Sequence, residues 1–238
     1  MQPTQLDSSR IIETTERLCR RVRERFPKAG LNEVGARLQA IAEQAHIRSQ
    51  EIARPILWVR VVTAAVILGI AGTFAATVYQ AGEFVEAGER MTVAELIQVL
   101  EAGLNDIVLI GASIFFLVTL ENRLKRLKAL KAIHELRSLS HIIDMHQLTK
   151  DPERVLAKGP ATASSPKTTM TRFELNRYLD YCSEMLALTG KVAALYVQRF
   201  EDPQAVAAVN DIETLTSGLS RKIWQKIMML NAASGKEL

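Results

Sequence analysis

The 18 residues Val61–Val78, VVTAAVILGIAGTFAATV, carry no charged side chain. At a helical rise of roughly 1.5 Å per residue they make about 27 Å of helix. Pro55–Val59 before them and Tyr79 after them extend the stretch to the length a bilayer core demands. Arg60 lies inside this extended run, near its start. Two readings of it stand side by side. It snorkels to the cytoplasmic interface with Trp58 as an interfacial anchor, or it lines a pore or pairs with an acid in the bilayer.

A second apolar run, Ile107–Leu120 (IVLIGASIFFLVTL), has 14 residues, about 21 Å of helix. Leu104 lengthens it if Asn105 and Asp106 sit at the outer interface, and Arg123 and Lys125 can snorkel at its other end. Taken alone it also fits a buried helix of a soluble domain. With one span already in place, a second is needed to keep the basic segment that follows on the cytoplasmic side.

The charges support this. The chain has 238 residues and a net charge of +4, which on its own suggests a mildly basic soluble protein. Split along the chain, the charge is +4 over residues 1–60, −5 over 61–120, +4 over 121–158 and +1 over 159–238. Arg90 is the only Lys or Arg between residues 61 and 120, whereas Glu121–Lys131 (ENRLKRLKALK) holds five. By the positive-inside rule both termini are cytoplasmic. No cleavable signal peptide is expected, because 54 mostly polar residues precede the first span. The acids Asp7, Glu13, Glu16 and Glu24 argue against an organelle transit peptide. The basic residues are mixed with acids and lie beside the membrane, so lipid headgroups account for them and no nucleic-acid partner is expected.

The sequence therefore predicts an all-α integral membrane protein. A two-span helical hairpin occupies 55–120, with spans at 56–80 and 104–120 and an outer connection at 81–103. Cytoplasmic helices forming a bundle or coiled-coil region flank it, and the expected location is a bacterial inner membrane or a plasma membrane. No period-two run or Asn-Gly turn signals a strand. In the outer connection Thr92 and Glu95 have capping-box spacing, and 93–103 reads as an amphipathic helix. Its acids, with Glu83, Glu86 and Glu89, make either a solvated loop or a cation-concentrating vestibule.

Before the hairpin, residues 1–54 form two helices. Asp7 or Ser8 caps the first, whose stripe is Ile11, Thr15, Leu18, Val22 and Phe26. Asn32 caps the second, which carries Leu31, Val34, Leu38, Ile41, Ala45 and Ile52. After the hairpin, 121–158 contains a helix that continues from the second span to Leu148, then a short helix begun by Asp151–Pro152. Residues 159–170 (GPATASSPKTTM) read as a flexible linker rich in hydroxyls. Residues 171–238 form an antiparallel helical hairpin, opened by a Thr171–Glu174 capping box and turned by the Asp202–Pro203 cap.

Four small residues, Ala65, Gly69, Gly72 and Ala76, fall close to one face of the first span and allow another backbone to approach. That surface serves either homo-oligomerisation or packing against Gly111 and Ala112 of the second span. Chemistry is thinly represented. Cys19 and Cys182 lie far apart with no CxxC pattern and fit free thiols in a reducing compartment. No phosphate loop, Gly-x-Ser-x-Gly or His-Glu-x-x-His occurs. In HELRSLSHIIDMH (His134–His146), His141 and Asp144 are i and i+3 and can chelate together, with Asp180 and Glu184 available as carboxylates. His134 lies about 10.5 Å from His141, and His146 is rotated by about 140° from it. Without a metal there, these are ordinary polar positions, and no cofactor is expected.

The stretch Ala94–Gly111 (AELIQVLEAGLNDIVLIG) resembles the region before a membrane span in the uncharacterised YqhA-like membrane proteins. The spacing from Asp106 to Glu121 departs from that pattern, the later spans are missing, and the resemblance implies no activity. The expected function is a non-enzymatic membrane component, partnered by the lipid bilayer, that homo-oligomerises or docks a protein through its cytoplasmic helices. The first alternative is an oligomeric pore, with Arg60 and Asp106 meeting permeant ions. The second is a membrane-bound metalloenzyme using His141 and Asp144.

Overall fold

The computed structural model describes residues 5–86, 92–156, 163–164 and 169–232. Seven helices and no strand occur among the described residues: α1 (Ser8–Arg25), α2 (Leu31–Ala53), α3 (Leu57–Glu86), α4 (Val93–Leu148), α5 (Glu153–Leu156), α6 (Arg172–Leu195) and α7 (Pro203–Ala232). They fall into two compact units. One joins Met1–Ala53 to Arg126–Leu238, and the other is Arg54–Lys125.

The first unit is a helical bundle built from both ends of the chain. Asp7 caps α1 by accepting from the backbone N–H of Ser9 and Arg10. The α1 stripe Ile11, Leu18 and Val22 is buried, and Phe26 closes it. The single-faced periodicity that signals an amphipathic helix thus marks the face that packs. Asn32 acts differently from expectation. Helix α2 has already begun at Leu31, and the Asn32 side chain donates back to the carbonyls of Phe26 (2.7 Å) and Pro27 (3.3 Å). It closes the exposed carbonyl end of α1 instead of the amide end of α2.

Helix α6 is the centre of this bundle. Its buried positions include Tyr178, Leu179, Cys182, Met185, Leu186, Thr189 and Val192, which cover most of its circumference. Helices α1, α2 and α7 all pack on it. Gly35 shows how closely: a Cβ there would sit 3.1 Å from Cys19 Sγ and 3.2 Å from Met185 Cε, so α1, α2 and α6 meet at one point. The Thr171–Glu174 capping box is present at the start of α6. The α7 stripe Val209, Ile212, Thr216, Leu219, Ile223 and Ile227 is buried, and the Arg172 side chain donates to the Leu230 carbonyl at the far end of α7. The buried hydroxyls of Thr15, Ser140 and Thr189 each donate to the carbonyl four residues earlier, so none needs a partner across the core.

The second unit opens with a non-helical stretch at residues 54–56, where Pro55 removes a backbone donor, and continues into α3. Helix α4 runs without a break through residue 103, where the sequence places the start of the second span. The outer helix, the second apolar run and the basic stretch form one continuous 56-residue helix. Gly103 alone does not interrupt it, since an isolated glycine costs only about 1 kcal/mol in a helix. The connection between α3 and α4 is correspondingly shorter than 81–103. The acids Glu83, Glu86 and Glu89, the Thr92–Glu95 capping box and most of the 159–170 linker lie outside the described residues or side chains. Asp151 accepts from the Glu153 N–H at the start of α5.

Candidate functional site

Helices α3 and α4 are each long and apolar enough to cross a membrane by length and composition. Only 6% of the most apolar 18-residue window of each is buried within the chain. A core helix of a soluble domain would be mostly buried. Here Leu57, Val61, Leu68, Val78, Leu104, Ile107, Phe115 and Phe116 are all exposed. In α3 the apolar residues are spread around the whole circumference, the pattern of a helix surrounded by apolar material on all sides.

A charged cluster sits where α3 begins, beside the middle of α4. Glu121 of α4 is only 13% exposed. Its Oε1 accepts from the Ile56 N–H at 3.3 Å and lies 2.8 Å from Lys125 Nζ, while its Oε2 is 3.7 Å from Arg60 Nε. One carboxylate thus satisfies a backbone donor just before α3 and two cations. Arg60 is otherwise 64% exposed, so its guanidinium reaches this acid from an open position. Sequence reading missed Glu121, because nothing in the linear chain ties it to residues 56 and 60.

The other expected site residues are not gathered. Asp106 is half-buried on α4, and the separation of 15 positions between it and Glu121 spans about 22 Å of helix, so Arg60 and Asp106 do not converge. Ala65, Gly69, Gly72 and Ala76 are exposed on α3. A Cβ on Gly69, Gly72 or Gly111 would meet nothing within 4 Å, whereas one on Gly103 would lie 3.3 Å from the Phe74 ring. The small-residue stripe therefore faces open space, and α4 is approached at Gly103.

His141 is exposed, and the half-buried Asp144 accepts from the Gln147 side chain at 2.6 Å. His134 is exposed and His146 packs against Gly30. Asp180 pairs with Arg177, and Glu184 makes a two-armed pair with Arg21. Among the described residues no group of three or more His, Cys, Asp or Glu side chains is placed to hold a metal ion. Cys19 and Cys182 are both free and buried.

A second ion pair holds the bundle. Asp202 Oδ1 caps α7 by accepting from the N–H groups of Gln204 and Ala205, both at 3.1 Å, and its Oδ2 lies 2.7 Å from Arg126. Burial alone would raise this carboxyl. The Arg126 bond and the two amides outweigh burial and hold it below the usual carboxylate range. No protein-family model matches the chain, and no curated protein and no solved structure is similar to it.

Proposed function

We propose that this chain is a non-enzymatic integral membrane protein in which α3 and α4 form a two-span hairpin with both termini cytoplasmic. Its role is to oligomerise and to dock protein partners through the cytoplasmic bundle. The observation that carries the reading is the outward-facing apolar surface of α3 and α4, almost none of which the chain buries. The large exposed side chains on both helices form a far larger apolar surface than a soluble monomer ordinarily shows. The contacts of Ile56 with Glu121 and of Phe74 with Gly103 support an antiparallel pair. The basic run Arg123–Lys131 supports the orientation through attraction to anionic headgroups. The open Ala65–Gly69–Gly72–Ala76 stripe supports association between copies. Exposed Trp224, Met228 and Met229 on α7 support docking by the bundle.

Cysteine accessibility in intact cells tests the topology, since both native thiols are buried. Ser9→Cys and Ser217→Cys are expected to react with a membrane-impermeant maleimide only after lysis, and Thr92→Cys before it. Labelling of Ser9→Cys from outside would overturn the orientation. Release of the protein by alkaline carbonate would overturn the insertion itself.

A further inference from the structure

A cleft of about 790 Å³ opens at one end of the bundle, where the α1–α2 turn, the end of α4 and the start of α6 meet. Its lining includes Arg25, Lys28, His146 and Lys150, with Tyr178 and Glu174. Among the described residues, none of the four basic groups lies within ion-pair distance of a carboxylate. Lys150 Nζ stands 5.2 Å from the Tyr178 ring centre and Arg25 lies 5.2 Å from that of Phe173, so two cations rest on aromatic faces instead.

The ordinary explanation for such residues is the helix dipole, because α1 and α4 both end here and carbonyl ends attract cations. That role is already filled. The Asn32 amide donates to the carbonyls of Phe26 and Pro27 at the end of α1. Lys226 Nζ donates to the carbonyls of Gln147 (2.8 Å) and Lys150 (3.1 Å) at the end of α4. The one acid in the cleft, Glu174, is turned to its own helix, accepting from the Thr171 N–H at 2.8 Å and its hydroxyl at 2.9 Å. Arg25 still acts on Glu174 through space, but among the described residues no carboxylate pairs directly with any of the four basic side chains, so the cleft keeps cationic groups that can face a ligand.

We propose that this cleft binds a phosphate group, presented either by a soluble phosphate-bearing molecule or by the headgroup of an anionic lipid. Cations line it from two segments of chain, Arg25 and Lys28 beside the α1–α2 turn and His146 and Lys150 at the end of α4. That disposition suits a tetrahedral anion better than a planar carboxylate, and charge-assisted bonds to it are the strong kind. The cleft is larger than phosphate alone and falls within the roughly 300–1,000 Å³ of small-molecule sites. Its apolar lining, including Phe26, Pro27, Met145 and Met170, leaves room for the organic body that carries the phosphate.

Titration calorimetry of the full chain in phosphatidylcholine nanodiscs, with pyrophosphate as probe, tests this. Saturable binding is expected, weakened by about tenfold or more in Lys28→Glu, which removes one charge-assisted contact and sets a carboxylate against the anion. Lys28 is exposed in a turn, so the variant keeps its fold, and unchanged circular dichroism checks it. Arg25→Ala serves as the second variant and is expected to weaken binding likewise. Arg20→Glu, an equal charge change on an exposed residue of α1 outside the cleft, is expected to leave affinity within about twofold. Absence of saturable binding overturns the proposal, as does an equal loss in Arg20→Glu and Lys28→Glu. Short-chain soluble phosphatidylglycerol separates the sources. Displacement of pyrophosphate by it assigns the site to a lipid headgroup, and failure to displace assigns it to a soluble phosphate.

Discussion

Asp202 does three things at once: it caps α7, it faces Arg126 and it is buried. Asp202→Ala removes the cap and strands a guanidinium that is itself one-third exposed, so a loss of about 2–3 kcal/mol is expected in denaturant unfolding. The pH dependence has a definite sign. A carboxyl held lower in the folded than in the unfolded state stabilises the fold fully above its unfolded pKa of roughly 4, and that contribution disappears as pH falls through the folded value. Asp202→Asn is therefore expected to flatten the acid limb of stability against pH, and an unchanged limb would count against the pair. Half of this site is legible in the chain, because Asp-Pro before an apolar stripe announces a cap. The Arg126 half is not, since 76 residues separate the partners and many other arginines are equally eligible. The thiols show the same limit. Burial raises Cys19 and pushes Cys182 up to about 12, against the opposing pull of Lys150 and Lys226. Little thiolate forms at neutral pH, so neither cysteine is expected to react with a thiol reagent in the native protein, while both react after unfolding. Rapid labelling of the native chain would contradict the packing around Gly35 and Met185.

Among the elements, α3 and α4 were the most legible and the least completely so. Composition alone marks where charge stops, and both charge-poor stretches lie within long helices. The continuity of α4 was not legible, because a change of polarity along the chain does not by itself end a helix and the backbone from Val93 to Leu148 is helical throughout. Composition also left the small-residue stripe with two uses, packing within the chain or between chains. The structure shows no atom of the chain opposite Gly69 or Gly72. A side chain introduced by Gly69→Val or Gly72→Val consequently starts its Cβ clear of neighbouring side chains. If the stripe joins copies, each is expected to lower the oligomeric state in detergent, measured by light scattering, while leaving the melting temperature of the monomer unchanged within about 2 °C. An unaltered oligomer would remove the stripe from the interface.

At the level of the whole molecule, the chain reads as a succession of segments, yet it folds as a bundle assembled from both termini. The periodicities of α1, α2, α6 and α7 each reveal an apolar face but carry no label for its partner. The breadth of the α6 face, from Tyr178 and Tyr181 to Leu188 and Val192, was the available sign that this helix lies at the centre and not at an edge. A physical consequence follows. Residues 126–238 alone would leave the α6 face that meets α1 and α2 open to water, at about 25 cal/mol for each Å² of apolar surface. That fragment is expected to be poorly soluble and to lack a cooperative unfolding transition. The Arg48–Glu135 ion pair, 3.0 Å long, ties the last turns of α2 to the later half of α4. Residues 53 and 126 lie only a few turns beyond this pair in their respective helices, so a short Gly/Ser linker in place of 54–125 can bridge them. The fusion of 1–53 through that linker to 126–238 is expected to be soluble without detergent, strongly helical and cooperative in thermal unfolding. If 126–238 folds equally well without residues 1–53, then α1 and α2 are accessories and the bundle is not one cooperative body.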